Sequence, residues 1–354
     1  MILSSFSYKT TGWELVEMNA LNLTNLLVGK NASGKTRTIK ALQNVTSFLS
    51  FQPANFGGYS FKTKLSFADP NDKDWIMTYS FEIIDGKVKT ENLLVCGKVL
   101  LKRDSAKAVL RDVTIYPPNE KLIIQVRRDS KDYPEIEKLM NWAEGVVVVS
   151  CSDINPYTIL NKTAGFINPL PFSELVNRLS AEEIKHVMSN AKLLGYDITD
   201  MKPIEVNSEL KLVSVKERYV VGRLVDFQLS SGMLRVLYLL CILEFCKHGN
   251  ISLLLIDDLG EGLDYKRAIH LGQKVFDTCD ENGIQMIASS NDSCLMDVID
   301  ISKWQLLRRN YSKLSVLNQS NNPELFNQFR LTGLSNFDLF SSDFIDNYLA
   351  SIRK

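Results

Sequence analysis

The stretch NLLVGKNASGKTRTI, residues 25–39, decides the fold. It begins as an apolar run of strand character and ends as the start of a helix, so the octet Gly29 to Thr36 sits at a strand-to-helix turn. The octet matches G-x-x-x-x-G-K-[ST] at every fixed position. Glycines at both ends let the backbone curl until the N–H groups of Lys30, Asn31, Ala32 and Ser33 face one anion, and the helix N-terminus adds its positive dipole end. Lys35 is expected to reach the β- and γ-phosphates of a nucleotide and the Thr36 hydroxyl to ligate Mg²⁺. Gly34 and Arg37 complete the expected binding set.

Strand patterning surrounds this turn. ILSSFSY and WELVEM precede it, a helix is expected from about Lys35 to Leu49, and between Phe61 and Val126 alternation recurs in YSFKTKLSF, WIMTYSFEII, VKTENLLV, KVLLKR and KLIIQV. Asp85-Gly86 is a hairpin signal. All of these segments, KLIIQV included, read as an antiparallel β region. VVVVS, residues 146–150, suits a buried strand. Pro156, Pro169, Pro171 and Pro203 then punctuate an insertion containing the helix LSAEEIKHVMSNAKLLG, with Ser180 and Glu183 as a capping box and Gly195 as its stop.

A phosphate loop needs a carboxylate at the end of a neighbouring strand, because Mg²⁺ takes an octahedral oxygen shell. LLLIDD supplies two: Asp257 to hold the metal, directly or through water, and Asp258 to orient an attacking water. A third segment, FQLSSGMLRVLYLL, places Leu229-Ser230-Ser231-Gly232 at the start of a long apolar helix, 27 residues before Asp257. By itself this is either an ordinary N-cap or a second anion site.

In this order, GKNASGKT, LSSGMLR and LLLIDDLGEGLD resemble the ATP-binding-cassette (ABC) ATPases, and among them the soluble RecF, SMC and OLD branch. The resemblance implies an α/β ABC-ATPase head with a P-loop core sheet, an antiparallel β subdomain and an inserted helical segment, acting on ATP with Mg²⁺. It casts Ser230, Ser231 and Gly232 as ligands to a nucleotide held by another subunit, and Leu263-Asp264 as the loop along that interface. Aligning SSND with the family's switch segment puts Asn291 where a histidine is usual, and Asp258 stands where Glu is common. An asparagine can hydrogen-bond a γ-phosphate but cannot shuttle a proton at neutral pH, so slow hydrolysis is expected, with Lys35, Asp258 and Asn291 as the catalytic set. The stretch YSFEIIDGKVKTENLLVCGKVLLKR further resembles stand-alone OLD-like ATPases of bacterial defence loci. The family's Q-loop glutamine has Gln52 as its candidate.

Composition limits the alternatives. Forty-one Lys plus Arg balance forty-one Asp plus Glu, so no global field draws the chain to nucleic acid or to an anionic membrane. Six cysteines without a CxxC spacing argue against a zinc site or disulfide framework, and no apolar run approaches about 18 residues, so a reduced, cytoplasmic protein without membrane spans is expected. Between Gly97 and Lys131 nine Lys or Arg meet four acids. Such a stretch either tracks a DNA backbone or is the solvated face of strands. The closing aromatics Phe326, Phe329, Phe337, Phe340 and Phe344 either pack on the core or dock a partner.

The expected segmentation is residues 1–150 for the P-loop and β subdomain, 151–225 for the insertion with its return strands, and 226–354 for the signature, acidic strand, switch region and tail. The leading reading is a homodimer or higher oligomer formed around sandwiched ATP that controls a separate effector protein. A RecF-like DNA-binding repair ATPase and a nucleotide-gated scaffold with negligible hydrolysis are the alternatives.

Overall fold

A computed structural model describes residues 1–50, 58–154, 170–207, 210–249 and 251–352. Two units divide it, one of Met1–Val146 with Ile301–Lys354 and the other of Val147–Asp300. The closing 54 residues thus group with the P-loop segment, whereas the sequence segmentation joins them to the signature and acidic strand.

The first unit opens with β1 (Ile2–Thr10) and β2 (Trp13–Met18), then β3 (Thr24–Val28), every residue of which is buried, and α1 (Lys35–Ser50). Five longer or shorter antiparallel strands follow as β4 (Phe61–Asp69), β5 (Asp72–Ile84), β6 (Lys87–Val95), β7 (Lys98–Asp104) and β8 (Lys107–Leu110), with β9 (Val113–Ile115) at the end. Asp85 and Gly86 take φ of 48° and 74°, the left-handed pair that a two-residue hairpin turn needs.

One expected strand is a helix instead. KLIIQV folds as the single turn α2 (Ile123–Val126), because the buried Glu91 carboxylate accepts the N–H groups of Ile123 and Ile124 at 2.8 and 3.2 Å. Those donors would otherwise be orphaned at a helix start. Gln125 anchors the turn to α1 through the Phe48 carbonyl at 2.6 Å. Glu91 also accepts from the Tyr79 hydroxyl at 3.0 Å and faces Arg103 at 3.8 Å, both partners of the ion pair being wholly buried. Arg103 spends its remaining donors on the carbonyls of Ser105, Lys121 and Pro118. After α3 (Pro134–Glu144), whose Trp142 packs edge-on against Phe67, the chain passes into the second unit.

There β10 (Val146–Ser150) leads to α4 (Phe172–Arg178) and α5 (Ala181–Leu193). The Ser180/Glu183 capping box forms as expected, and Gly195 follows with φ +84°. A small antiparallel sheet comes next, β11 (Ile198–Glu205), β12 (Lys211–Glu217) and β13 (Leu224–Val225). Pro203 is tolerated because β11 is an edge strand. Pro171 is the N-cap of α4, while Pro156 and Pro169 lie outside the described residues.

Helix α6 (Ser231–Cys246) is apolar on nearly all sides and is buried among α4, α5 and α7. Strand β14 (Leu253–Asp257), helix α7 (Tyr265–Glu281) and strand β15 (Met286–Ser289) form a parallel β-α-β crossover, with β10 on the far side of β14; α8 (Ser293–Val298) closes the unit.

The chain returns to the first unit as β16 (Trp304–Asn310) and β17 (Lys313–Leu317), then α9 (Pro323–Arg330), α10 (Asn336–Ser341) and α11 (Phe344–Ile352). These two strands complete that unit's mixed sheet in the order β3-β16-β17-β2-β1-β4-β5-β6-β7-β8-β9, β16 lying parallel to β3 and β17 parallel to β2. Phe326 and Phe329 are buried as the core-packing reading expects; Phe337, Phe340 and Phe344 are half-buried.

Candidate nucleotide site

In the first unit, buried β3 delivers Gly29 to the turn and α1 begins at Lys35. A Cβ on Gly29 would overlap the Ser33 hydroxyl and come within 3.1 Å of the Leu307 carbonyl, so no larger residue fits there. Gly34 has φ +110°, and Ala32 is also left-handed at 61°. The loop is thereby curled upon itself. At its centre the buried Lys35 ammonium donates to the carbonyls of Gly29 at 2.6 Å and Lys30 at 3.5 Å. The Ser33 hydroxyl is buried and, among the described residues, has no hydrogen-bond partner. A curled backbone, a central ammonium, an orphaned hydroxyl and a threonine at the helix start fit a magnesium-bound polyphosphate. Lys30, Asn31 and Ala32 are exposed on the loop's outer side, and the Arg37 guanidinium lies 4.8 Å from the Trp13 ring centre.

The acidic pair lies in the second unit at the end of β14. Asp257 is buried and its Oδ1 accepts from the Ser289 hydroxyl at 2.6 Å. The same hydroxyl oxygen accepts the N–H of Asp258 at 2.9 Å, so one serine at the end of β15 fixes both carboxylates. Asp258 is half-exposed and adopts φ 57°, a conformation an aspartate reaches only with strain. The Asn291 amide donates to its Oδ1 at 3.1 Å. Asn291 is therefore placed to orient Asp258. The N–H of Cys151, just beyond β10, donates to the Asp257 carbonyl at 2.9 Å, and burial pushes its thiol up to about 12, which keeps it protonated.

The signature segment lies in the same unit. Ser230 is exposed and caps α6, its hydroxyl accepting the Met233 N–H at 3.2 Å, so the side chain performs the N-cap role that the isolated sequence allows. Ser231 is exposed beside it, and a Cβ on Gly232 would come within 3.2 Å of the Tyr196 hydroxyl and 3.5 Å of Leu263. Asp264 caps α7 through the Arg267 N–H, the contact that most lowers its carboxyl below the usual range, and it also pairs with the Arg267 side chain at 2.7 Å. Arg267 lies over the Tyr196 ring at 4.5 Å, which ties the turn after α5 to the region of the signature. Arg235 of the signature helix reaches the Glu261 carbonyl at 2.9 Å.

Several of these residues carry no motif. Ser289 precedes Asn291 in ASSND, and its small polar side chain at the end of an apolar strand was the available signal. Arg308, Arg309 and Tyr311 border the phosphate loop, with Arg309 donating to the Ala32 carbonyl at 3.2 Å; no spacing marks them. Gln52 lies outside the described residues. Within the basic stretch, Arg103 is buried, Arg111 pairs with Glu135 at 2.8 Å, and Arg128 pairs with both Glu137 and Glu144. Among the described residues, three of the nine cations are thus paired with carboxylates of the protein itself, Arg103 in its interior and Arg111 and Arg128 at its surface. Among the described residues no helix is long and apolar enough to cross a membrane.

No protein-family model matches the chain, and no curated protein does. Solved structures do. The SMC head domain from Thermotoga maritima superposes with a TM-score of 0.50 at 12% identity, covering 90% of this chain and 99% of that one. An Smc head bound to the C-winged helix domain of ScpA gives 0.53 at 13% identity, over 92% and 100% of the two chains. An Smc head with an extended coiled coil, bound to the C-terminal domain of ScpA derived from Pyrococcus furiosus, gives 0.52 at 9%, over 93% and 99%. The chain has a mixed α/β fold resembling the SMC ABC-ATPase head, with a large mixed sheet and a small antiparallel one.

Proposed function

We propose that the protein is an ATP-binding, slowly hydrolysing ABC-type ATPase of the RecF, SMC and OLD branch, whose copies associate around sandwiched ATP to control a separate effector. The curled phosphate loop, with the Lys35 ammonium bonded to its own Gly29 carbonyl, is the observation that carries this reading. Lys35 exchanges those carbonyl bonds for β- and γ-phosphate oxygens, the N–H groups of Lys30 to Gly34 cradle the chain of phosphates, and Thr36 and Asp257 are the residues that would hold the metal. When bound, Mg²⁺ neutralises charge on the phosphate oxygens.

Asp258 orients the attacking water, and the Asn291 amide positions Asp258. Asn291 cannot shuttle a proton at neutral pH, which supports slow turnover. Ser230, Ser231, Gly232 and Asp264 supply the face a second subunit presents; the exposure of both serines supports that role. Binding across an interface links nucleotide occupancy to assembly. The setting in defence or in a toxin–antitoxin-like module rests on the OLD-like resemblance.

Mass measurements with and without ATP·Mg²⁺ on wild type, Lys35→Ala and Asp258→Ala test the proposal. Wild type enlarges with ATP, Lys35→Ala does not, and Asp258→Ala stays enlarged for longer. A monomer under every condition would remove the sandwich, and ATP hydrolysis that survives in Asp258→Ala would remove that residue's role.

A further inference from the structure

We propose that the end of β16 and helix α11 form a second, cationic wall of the polyphosphate site, and that Asp346 holds this wall as an internal counter-anion until a polyphosphate displaces it. The proposal rests on the nucleotide reading of the phosphate loop and extends it to the C-terminal helices. A cavity of about 490 Å³ opens beside the loop, with Gly29–Ser33 along one side. Arg308, Arg309 and Tyr311 form a second side, and Phe340, Ile345 and Asp346 of α10 and α11 a third.

The charges in this lining are unequal. Lys30, Arg308 and Arg309 are cations, and Asp346 is the one carboxylate among the residues that form it. Arg308 is paired with Asp346. Arg309 is fixed to the loop by its bond to the Ala32 carbonyl and to its own hairpin through the Tyr311 carbonyl at 2.8 Å. The buried hydroxyl of Ser33, without a hydrogen-bond partner among the described residues, belongs to the same lining and points independently to a ligand that satisfies it.

The Arg308 and Asp346 side chains are 35% and 53% exposed, and an ion pair so hydrated is weak. A polyphosphate brings several charges to the same wall and accepts a guanidinium bidentately, so it outcompetes one carboxylate for Arg308. By linkage, whatever loosens Asp346 strengthens ligand binding, and the ligand loosens α11 to the same degree. Helix α11 keeps its hold on α9 through Phe344, whose ring stacks edge-on to Phe329 at 5.4 Å, so the released element remains attached while its Asp346 edge opens.

The test is ATP·Mg²⁺ binding by calorimetry to the full chain as wild type, Asp346→Asn, Arg308→Gln, the double variant and Lys35→Ala, with hydrogen exchange followed over residues 336–352. Asp346→Asn should bind ATP about two- to five-fold more tightly, the range an exposed ion pair allows. Arg308→Gln should bind more weakly, and the double variant should match Arg308→Gln alone. ATP should raise exchange in 336–352 of wild type and leave Lys35→Ala unchanged, while Asp346→Asn should exchange faster even without ATP. Equal affinities for wild type and Asp346→Asn, or exchange in 336–352 that ignores ATP in a wild type that binds it, would overturn the counter-anion role alone. A wild type that binds no ATP would instead bring down the nucleotide reading, and this proposal with it.

Discussion

Two sets of acidic residues at strand positions in this molecule have opposite surroundings. Glu91, on β6, is wholly buried and saturated: a tyrosine hydroxyl, two backbone N–H groups and an arginine surround it. Burial pushes its carboxyl up, against the pull of those donors. Asp257 and Asp258, at the end of β14, share one serine hydroxyl, and Asp258 keeps an exposed side and a strained backbone. The difference separates a carboxylate that holds structure from one to which we assign chemistry. The donors around the first are committed to it inside the protein, whereas the second is half-exposed and holds a conformation maintained at a cost of about 1–3 kcal/mol.

Breaking the saturated set should have the largest effect. Arg103→Met leaves Glu91 buried beside Tyr79 without its cation, and the expected loss is about 3–5 kcal/mol in urea unfolding. A double variant that also carries Glu91→Leu should recover part of that loss; failure to recover any would mean that the carboxylate's hold on α2 matters more than the charge pairing.

The open set should respond in chemistry more than in stability. Ser289→Ala removes the donor to Asp257 and the acceptor for the Asp258 N–H, at an expected cost of about 1–3 kcal/mol to folding. ATP turnover should fall further than ATP affinity, because the residue fixes the orientation of Asp258. Equal falls in both would erase the contrast with Glu91.

A third carboxylate gives the smallest effect. Burial works to raise the Glu183 carboxyl, but the Ser180 N–H and His248 outweigh it and bring it to about 2. Its contribution to stability is therefore complete above the ordinary carboxylate range and is lost as pH falls from there toward about 2. Glu183→Gln should cost about 1 kcal/mol at neutral pH and flatten the acid limb of the stability profile over that window.

These carboxylates also mark what the sequence could reveal. Asp257 and Asp258 were legible because four apolar residues precede them, and the phosphate loop because its glycines and lysine have no substitutes. Glu183 was legible because a capping box is a local object, complete within four residues. Glu91 was not. In VKTENLLV it reads as one polar position of an alternating strand, and its partners Arg103, Ile123 and Ile124 come from elements that only the fold brings to it. The same contact turned KLIIQV from a strand into α2, since a short segment of alternating apolar residues takes whichever conformation its backbone donors can satisfy. The proximity of Arg308, Arg309 and Asp346 to the phosphate loop has the same origin: between 279 (308 − 29) and 317 (346 − 29) residues separate them from Gly29 along the chain.

That separation has a consequence for synthesis. The strand that carries the phosphate loop pairs with β16, so Leu26–Val28 waits for Trp304–Leu306 before its edge is covered. At about 5–20 residues per second on a ribosome, the interval is roughly 15–60 s. Throughout it a strand whose every residue ends up buried is a bare edge, the kind of surface that chaperones shield. A nascent chain would therefore fix its phosphate loop in place only after β16 has been made.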